Sequence, residues 1–371
     1  MNRLQESFIL RDLNKKMVFI TGPRQVGKTW LANRVERHFK NTTYLNYDDF
    51  DDRLTIEQRT WYKDTDLLIL DELHKMKRWK TYIKGVFDTK PTQLKIIITG
   101  SAKLDTFRQS GDSLSGRYFL HRLLPFSVKE LEGSGVSTEH LFERGGFPEP
   151  LFSDNVVDAQ RWRNQYKDSL IRQEVSDFSR VAEIRNLELV FELLRRRVGS
   201  PVSYNSIAQD LHLSAPTVKS YVDILESLFI VFRVTPYSRN IARSILKSPK
   251  VYFYDSGLVL GDDGARFENF VAVCLQKHAY AGTDYTGIEN SLNYIRTKDG
   301  REVDFCLAKE NNLLGMYEAK LSQTKADKNL KYFVDRYQIP ATQIVYNLPR
   351  EKTVEQIDVR RAETFLNELF L

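Results

Sequence analysis

The sequence predicts an α/β protein built in three blocks, and three observations carry that expectation. A glycine-rich loop at residues 22–29 sits between an apolar strand and a helical stretch. Short aliphatic or β-branched runs alternate with helical stretches over residues 1–130, which implies a sheet covered by helices. Turn-forming clusters at 132–135 and 145–150 then separate a mostly helical middle from a last, mixed α/β block. The expected domains are accordingly 1–130, 131–260 and 261–371.

Composition narrows the class further. Over 371 residues, 42% are hydrophobic and 28% charged, proportions that exclude a disordered or collagen-like chain and allow two or three cores. Cys274 and Cys306 are too few for a disulfide framework. Apolar runs such as 67–70 and 228–232 fall far short of the ~18 residues a membrane span needs. Residues 1–16 alternate charged with apolar side chains, so no secretory signal is expected. The expectation is a soluble, cytoplasmic protein with no membrane partner.

In the first block, residues 16–21, 43–47, 67–70, 95–99 and 118–122 read as strands. Gly22-Pro23-Arg24-Gln25-Val26-Gly27-Lys28-Thr29 follows the first of them and opens a helix near 30–37, the context in which this spacing cradles phosphates. Backbone N–H groups turn onto phosphate oxygens, Lys28 reaches the β- and γ-phosphates, and the Thr29 hydroxyl coordinates Mg²⁺. ATP is the expected ligand. Leu70-Asp71-Glu72 ends an apolar strand 43 residues after Lys28 and resembles a Walker B segment. Asp71 would hold the Mg²⁺ shell, and Glu72 would orient and deprotonate the attacking water. Thr99-Gly100-Ser101 resembles the sensor strand of AAA-type ATPases, with Thr99 or Ser101 near the γ-phosphate; a buried strand with a glycine turn reads equally well. Arg117 matches the arginine that such ATPases direct into a neighbour's site, which would require a homo-oligomer. A salt bridge within the chain or a substrate contact is the competing reading.

Positive charge concentrates in the middle. The chain carries a net +6, and residues 195–250 alone hold nine basic and three acidic residues, also +6. Such a patch attracts polyanions, so Arg195, Arg196, Arg197, Lys219, Arg239, Arg243 and Lys247 are the candidate nucleic-acid contacts; a solvated surface is the alternative. Residues 204–211 and 218–228 read as helix-turn-helix, with Ser214 as N-cap, and 228–234 and 250–254 as wing strands. The second helix exposes Lys219, Asp223 and Glu226, a poor set for reading base edges, so DNA contact and a purely architectural role both stand.

In the last block, 302–307 and 315–320 read as two hairpin strands. A turn centred at residue 311 sets Asp304 opposite Glu318, with Lys320 two residues along the same face. The set fits the D…E-x-K pattern of restriction-endonuclease-like nucleases, in which the acids bind Mg²⁺ or Mn²⁺ and the lysine activates water. Glu268 resembles the acidic residue contributed by the first helix of that fold. An exposed cross-strand ion pair would leave the same signature.

Taken in order, these motifs, with Gly145-Gly146-Phe147-Pro148-Glu149 and Asp255-Ser256-Gly257-Leu258, make the chain similar to prokaryotic AAA-type ATPases carrying a C-terminal nuclease-like domain of unknown function. The resemblance implies ATP binding and hydrolysis. Two classes of function follow: a DNA-associated ATPase whose last domain cuts or grips nucleic acid, or an ATP-driven switch or protein-remodelling module whose later domains are interaction surfaces.

Overall fold

A computed structural model describes residues 3–100, 114–174, 181–238, 248–310 and 312–371. They form two compact units, Met1–Leu124 and Pro125–Leu371.

The first unit is a five-stranded parallel sheet in the order β2-β3-β4-β1-β5, where β1 is Met17–Thr21, β2 Thr42–Asn46, β3 Leu67–Asp71, β4 Lys95–Thr99 and β5 Tyr118–Arg122. β1 and β3 are buried along their whole length, as uninterrupted aliphatic runs must be when helices cover both faces. Helices α1 (Gln5–Leu13), α2 (Lys28–Glu36), α3 (Phe50–Gln58) and α4 (Trp79–Thr89) flank the strands in sequence. Asp49 caps α3, accepting from the N–H groups of Asp51 and Asp52 at 3.0 Å. One face packs Phe19, Leu68, Leu70, Ile96 and Ile98 against Trp79 and Ile83 of α4. The helix after the loop starts at Lys28, two residues earlier than its apolar pattern indicates, because Gly27 itself is the N-cap.

The second unit begins with the short helices α5 (Val128–Leu131), α6 (Thr138–Arg144) and α7 (Pro148–Leu151), followed by α8 (Val156–Glu174) and α9 (Val181–Arg195). Next come α10 (Tyr204–Leu211) and α11 (Ala215–Ser227); Ser214 accepts from the Thr217 N–H at 3.2 Å and Pro216 occupies the first turn, as expected. The strand expected from residue 228 starts at β6 (Val231–Pro236), because Phe229 adopts a left-handed φ of 54° that turns the chain first. β6 pairs antiparallel with β7 (Lys250–Phe253).

Residues on either side of 260 share one sheet. The C-terminal strands are β8 (Asn290–Arg296), β9 (Glu302–Lys309), β10 (Asn312–Lys320), β11 (Ala341–Val345), β12 (Lys352–Val354) and β13 (Ile357–Arg361). Thr235 and Pro236 of β6 pair in parallel with β8, and this joins β6 and β7 to an eight-stranded sheet, β12-β13-β11-β10-β9-β8-β6-β7. The 24-residue α12 (Asp263–Thr286), capped by Asp262, is buried over most of Phe267–Ala281; α13 (Lys328–Tyr337) and α14 (Ala362–Asn367) complete the unit.

Candidate functional site

The loop after β1 owes its shape to two glycines. Gly22 has φ +147°, and a Cβ there would overlap the carbonyl oxygen of Leu123; Gly27 has φ +97°. Arg3, almost fully buried, donates to the carbonyls of Val26 at 2.8 Å and Leu124 at 3.1 Å and so anchors the loop from the N-terminal side. Lys28, 7% exposed, donates from Nζ to the carbonyls of Gly22 at 3.1 Å and Pro23 at 2.7 Å. Its ammonium therefore reaches back across the loop to two backbone carbonyls, and its charge also acts on Glu72.

Asp71 is the hub at the end of β3. Thr29 Oγ1 and the Tyr44 hydroxyl each donate to Asp71 Oδ2 at 2.8 Å, while Thr99 Oγ1 and the Glu72 N–H donate to Oδ1, the latter at 3.0 Å. Burial first, and Asp71 second, push the Tyr44 hydroxyl well above its usual range. Thr99, a candidate phosphate sensor, is fully buried and directed at Asp71, so in this structure it orients a carboxylate. Its partner candidate Ser101 lies outside the described residues.

Glu72 has a left-handed φ of 56° that swings its side chain off the strand line. Its Oε2 has no hydrogen-bond partner among the described residues; Lys75 Nζ at 3.5 Å and His74 Nε2 at 3.6 Å are ionic neighbours. Burial raises the Glu72 carboxyl above the ordinary range and Lys75 opposes the rise. Arg117 donates to both carboxylate oxygens of Asp88, at 2.8 and 3.1 Å. A hydroxyl and a carboxylate held together, as in Thr29 and Asp71, are the hard oxygen donors that Mg²⁺ takes, so the residues present fit that ion.

Comparison with known proteins bears on this geometry. Residues 14–132 match the family model described as AAA domain. The first unit is an AAA-type ATPase domain. Residues 135–261 and 263–362 match two models described as domains of unknown function, DUF8612 and DUF4143. Uncharacterized proteins of Mycobacterium tuberculosis (24% identity, 89% of this chain and 76% of the relative) and Haemophilus influenzae (23%, 91% and 90%) are similar over most of their length. Among solved structures, a Walker-type ATPase of Pyrococcus abyssi aligns at TM-score 0.44 and 14% identity, covering 70% of this chain and 94% of that one. No described helix is long and apolar enough to cross a membrane.

The basic residues of the middle segment are partly engaged inside the second unit. Arg195 donates to Glu192 at 2.9 Å and to the Leu258 carbonyl at 2.6 Å, and Arg197 pairs with Asp210 at 2.8 Å. Asp223 and Glu226, counted against base reading, both pair with Arg233. Arg196 and Lys219 are exposed, whereas Arg239, Arg243 and Lys247 lie outside the described residues.

The C-terminal candidates converge, by a route the hairpin count did not foresee. Asn312 pairs with Lys309 and Leu313 with Ala308; an irregularity between Leu313 and Gly315 then moves the register by one, so Tyr317 faces Phe305. Beyond it the Asp304 N–H donates to Glu318 Oε2 at 3.2 Å, and the Ala319 N–H donates to Asp304 Oδ2 at 3.1 Å. Lys320 Nζ donates to Glu318 Oε1 at 2.7 Å. Glu268 of α12 joins the group, accepting from the Tyr252 hydroxyl at 2.6 Å. Burial, then Asp304, raises Glu268 to about 7 and Glu318 to about 8.

Two participants went unrecognised in the sequence. Lys250, fully buried at the start of β7, places Nζ 2.7 Å from Glu302, 3.2 Å from Glu268 and 3.3 Å from Asp304. Burial alone would lower this ammonium's pKa, but the carboxylates outweigh it and hold the pKa well above the usual lysine value. Glu302 shares a face of β9 with Asp304, a position the period of two makes readable, but the lone lysine opening an apolar strand gives no comparable signal. Both oxygens of Asp304 and of Glu318 thus accept from N–H or ammonium groups. Among the described residues, no three carboxylates, histidines or cysteines are arranged to hold a metal ion, and the divalent ion expected at Glu268, Asp304 and Glu318 does not fit beside Lys250.

Two further motifs meet elsewhere in the unit. Arg163 of α8 donates to Asp255 Oδ2 at 3.0 Å and to the Arg144 carbonyl, and any side chain at Gly257 would overlap its guanidinium. The glycine-rich turn after α6 and the Asp255-Ser256-Gly257 turn are therefore two walls of one buried ion pair.

Proposed function

We propose that the chain binds ATP with Mg²⁺ at the 22–29 loop and hydrolyses its terminal phosphate. The observation that carries the reading is Asp71, held by the hydroxyls of Thr29, Tyr44 and Thr99, beside a Glu72 oxygen with no hydrogen-bond partner among the described residues. Lys28 would exchange two neutral carbonyls for β- and γ-phosphate oxygens of the substrate, a change that gains a charge–charge interaction. When bound, Mg²⁺ would offset negative charge on those oxygens, with Thr29 and Asp71 as its protein partners. Glu72 would orient a water and take its proton, a role suited to a carboxyl whose affinity for protons is raised. A contribution in trans from Arg117, and with it a homo-oligomer, has less support, since Asp88 already takes two of its nitrogens.

For the second unit the reading is contact with the DNA backbone. The order α10, α11, β6, β7 supports a winged helix, and the β9–β10 hairpin beside parallel β11, with Glu268 on α12, supports a restriction-endonuclease-like core. Exposed Arg196 and Lys219, with Arg239, Arg243 and Lys247 in sequence between β6 and β7, suit phosphates better than base edges. The engaged Arg195, Arg197 and Arg233 favour the alternative, a switch or remodelling module with non-catalytic surfaces.

One assay separates these readings: phosphate release and DNA integrity followed in the same tube with Mg²⁺ or Mn²⁺, over a salt series. The expected result is ATP turnover stimulated by DNA, with the stimulation falling steeply as salt rises. Absence of turnover in a protein that binds ATP would overturn the hydrolysis reading. Turnover indifferent to DNA would favour the alternative.

A further inference from the structure

The nuclease-like pattern demands a divalent cation between Glu268, Asp304 and Glu318, yet the structure sets the Lys250 ammonium between two of them, Glu268 and Asp304. We propose that the Lys250 ammonium is the resident cation of this cluster, so that the site is closed to metal and the second unit does not cut phosphodiesters by metal-assisted hydrolysis.

Three observations carry the proposal. First, Lys250 Nζ lies among three carboxylates from two other elements: Glu268 from α12 at 3.2 Å, and Glu302 and Asp304 from β9 at 2.7 and 3.3 Å. A divalent ion bridging Glu268 and Asp304 would have to displace that ammonium, and the two cations would repel within a few ångströms in a buried site. Second, the lysine is locked in place. It is fully buried, its strand pairs with β6, Pro201 bridges to it, and Tyr252, two residues on, donates to the same Glu268 oxygen. Withdrawal of Lys250 would leave Glu268, Glu302 and Asp304 without their common counter-charge, so the closed form is self-reinforcing. Third, the remaining acid is also committed, because Glu318 accepts from Lys320 and from the Asp304 N–H. Lys320, the residue expected to activate water, is bound to Glu318 and lies 3.6 Å from Asp327.

The arrangement also explains a feature of the fold. Lys250 comes from the segment before residue 260, whereas Glu302 and Asp304 come from the C-terminal block; the cluster thus ties β7 to β9 across the sheet. A metal ion can make the same kind of joint, but only from ligands that wait for it, whereas the lysine is supplied with the chain.

The test uses Mn²⁺ as probe, titrated by calorimetry and electron spin resonance into the nucleotide-free full chain. The parent and Asp304→Asn should take up Mn²⁺ identically, because the cluster takes none. Lys250→Met, which removes the charge and keeps an unbranched side chain, should gain one equivalent of Mn²⁺ and a rise in melting temperature on Mn²⁺ addition. Both gains should vanish when Asp304→Asn is added to Lys250→Met. Uptake by the parent that Asp304→Asn abolishes would overturn the proposal, as would a folded Lys250→Met that gains none. If Lys250→Met does not fold, the comparison of parent with Asp304→Asn still decides. ATP turnover plays no part in the readout, so failure here is distinct from failure of the hydrolysis reading.

Discussion

The loop of the first unit and the cluster of the second are built from the same materials, lysine, aspartate and glutamate at the ends of strands, and they are wired differently. Lys28 rests on two carbonyls, Asp71 on three hydroxyls and a backbone N–H, and one Glu72 oxygen on nothing stronger than ionic neighbours. Around Lys250, by contrast, each charge meets an opposite charge within 3.3 Å. Neutral partners orient an ionised group and leave its charge available to a ligand. Opposite charges consume it. Residue type therefore does not distinguish the two sites; the partners do.

The largest effect should come from Glu72→Gln, with ATP binding kept and turnover reduced by roughly 10²–10⁴-fold, as for loss of a general base. Single-turnover phosphate release measures it, and a variant as fast as the parent would take Glu72 out of the reaction. Lys28→Ala should weaken ATP binding by roughly 10²–10³-fold, in line with about 3–4 kcal/mol for truncating one partner of a desolvated charged pair. Calorimetry with ATP reads that loss, while the melting temperature should hardly move.

Lys250→Met is the mirror experiment, because it should leave ATP affinity intact and lower the stability of the second unit by about 3–5 kcal/mol, the cost of leaving buried carboxylates uncompensated. Denaturant unfolding followed by a probe in that unit would show it; an unaltered midpoint would mean that the cluster is not held by its charges. Thr99→Val should cost turnover about 10-fold by loosening Asp71, with ATP affinity nearly unchanged, since it acts through another residue. The smallest effect is expected for Arg117→Ala, where loss of the exposed Asp88 pair should leave turnover near that of the parent at every protein concentration. A collapse of turnover, relieved by mixing with Glu72→Gln, would restore its role in trans.

Local motifs made part of this readable. The 22–29 loop, the run ending in Asp71 and Glu72, and the strand–helix alternation are statements about neighbours in sequence, and the structure has all of them. The pairing of Asp304 with Glu318 was also legible, but the hairpin starts one register off, at Asn312 and Lys309, and an irregularity between Leu313 and Gly315 restores it. Tyr44, Arg3 and Lys250 were not legible as site residues, because each reaches its partner from a distant element, whereas Glu302 shares a strand face with Asp304.

The sequence by itself determined which groups carry chemistry and, through strand periodicity, which of them share a face. It could not determine their ionic partners, because an ion pair depends on the distance between side chains in space. Thr99 reads as a phosphate sensor until β4 is laid beside β3, where its hydroxyl turns to Asp71. Lys250 reads as one more positive charge in a basic segment until β6 joins β8, which carries β7 to the edge of the C-terminal sheet and the ammonium among the acids of β9 and α12. Only the tertiary structure made that decision, since burial removes the water that would otherwise neutralise each charge and leaves each carboxylate to the nearest cation the fold supplies.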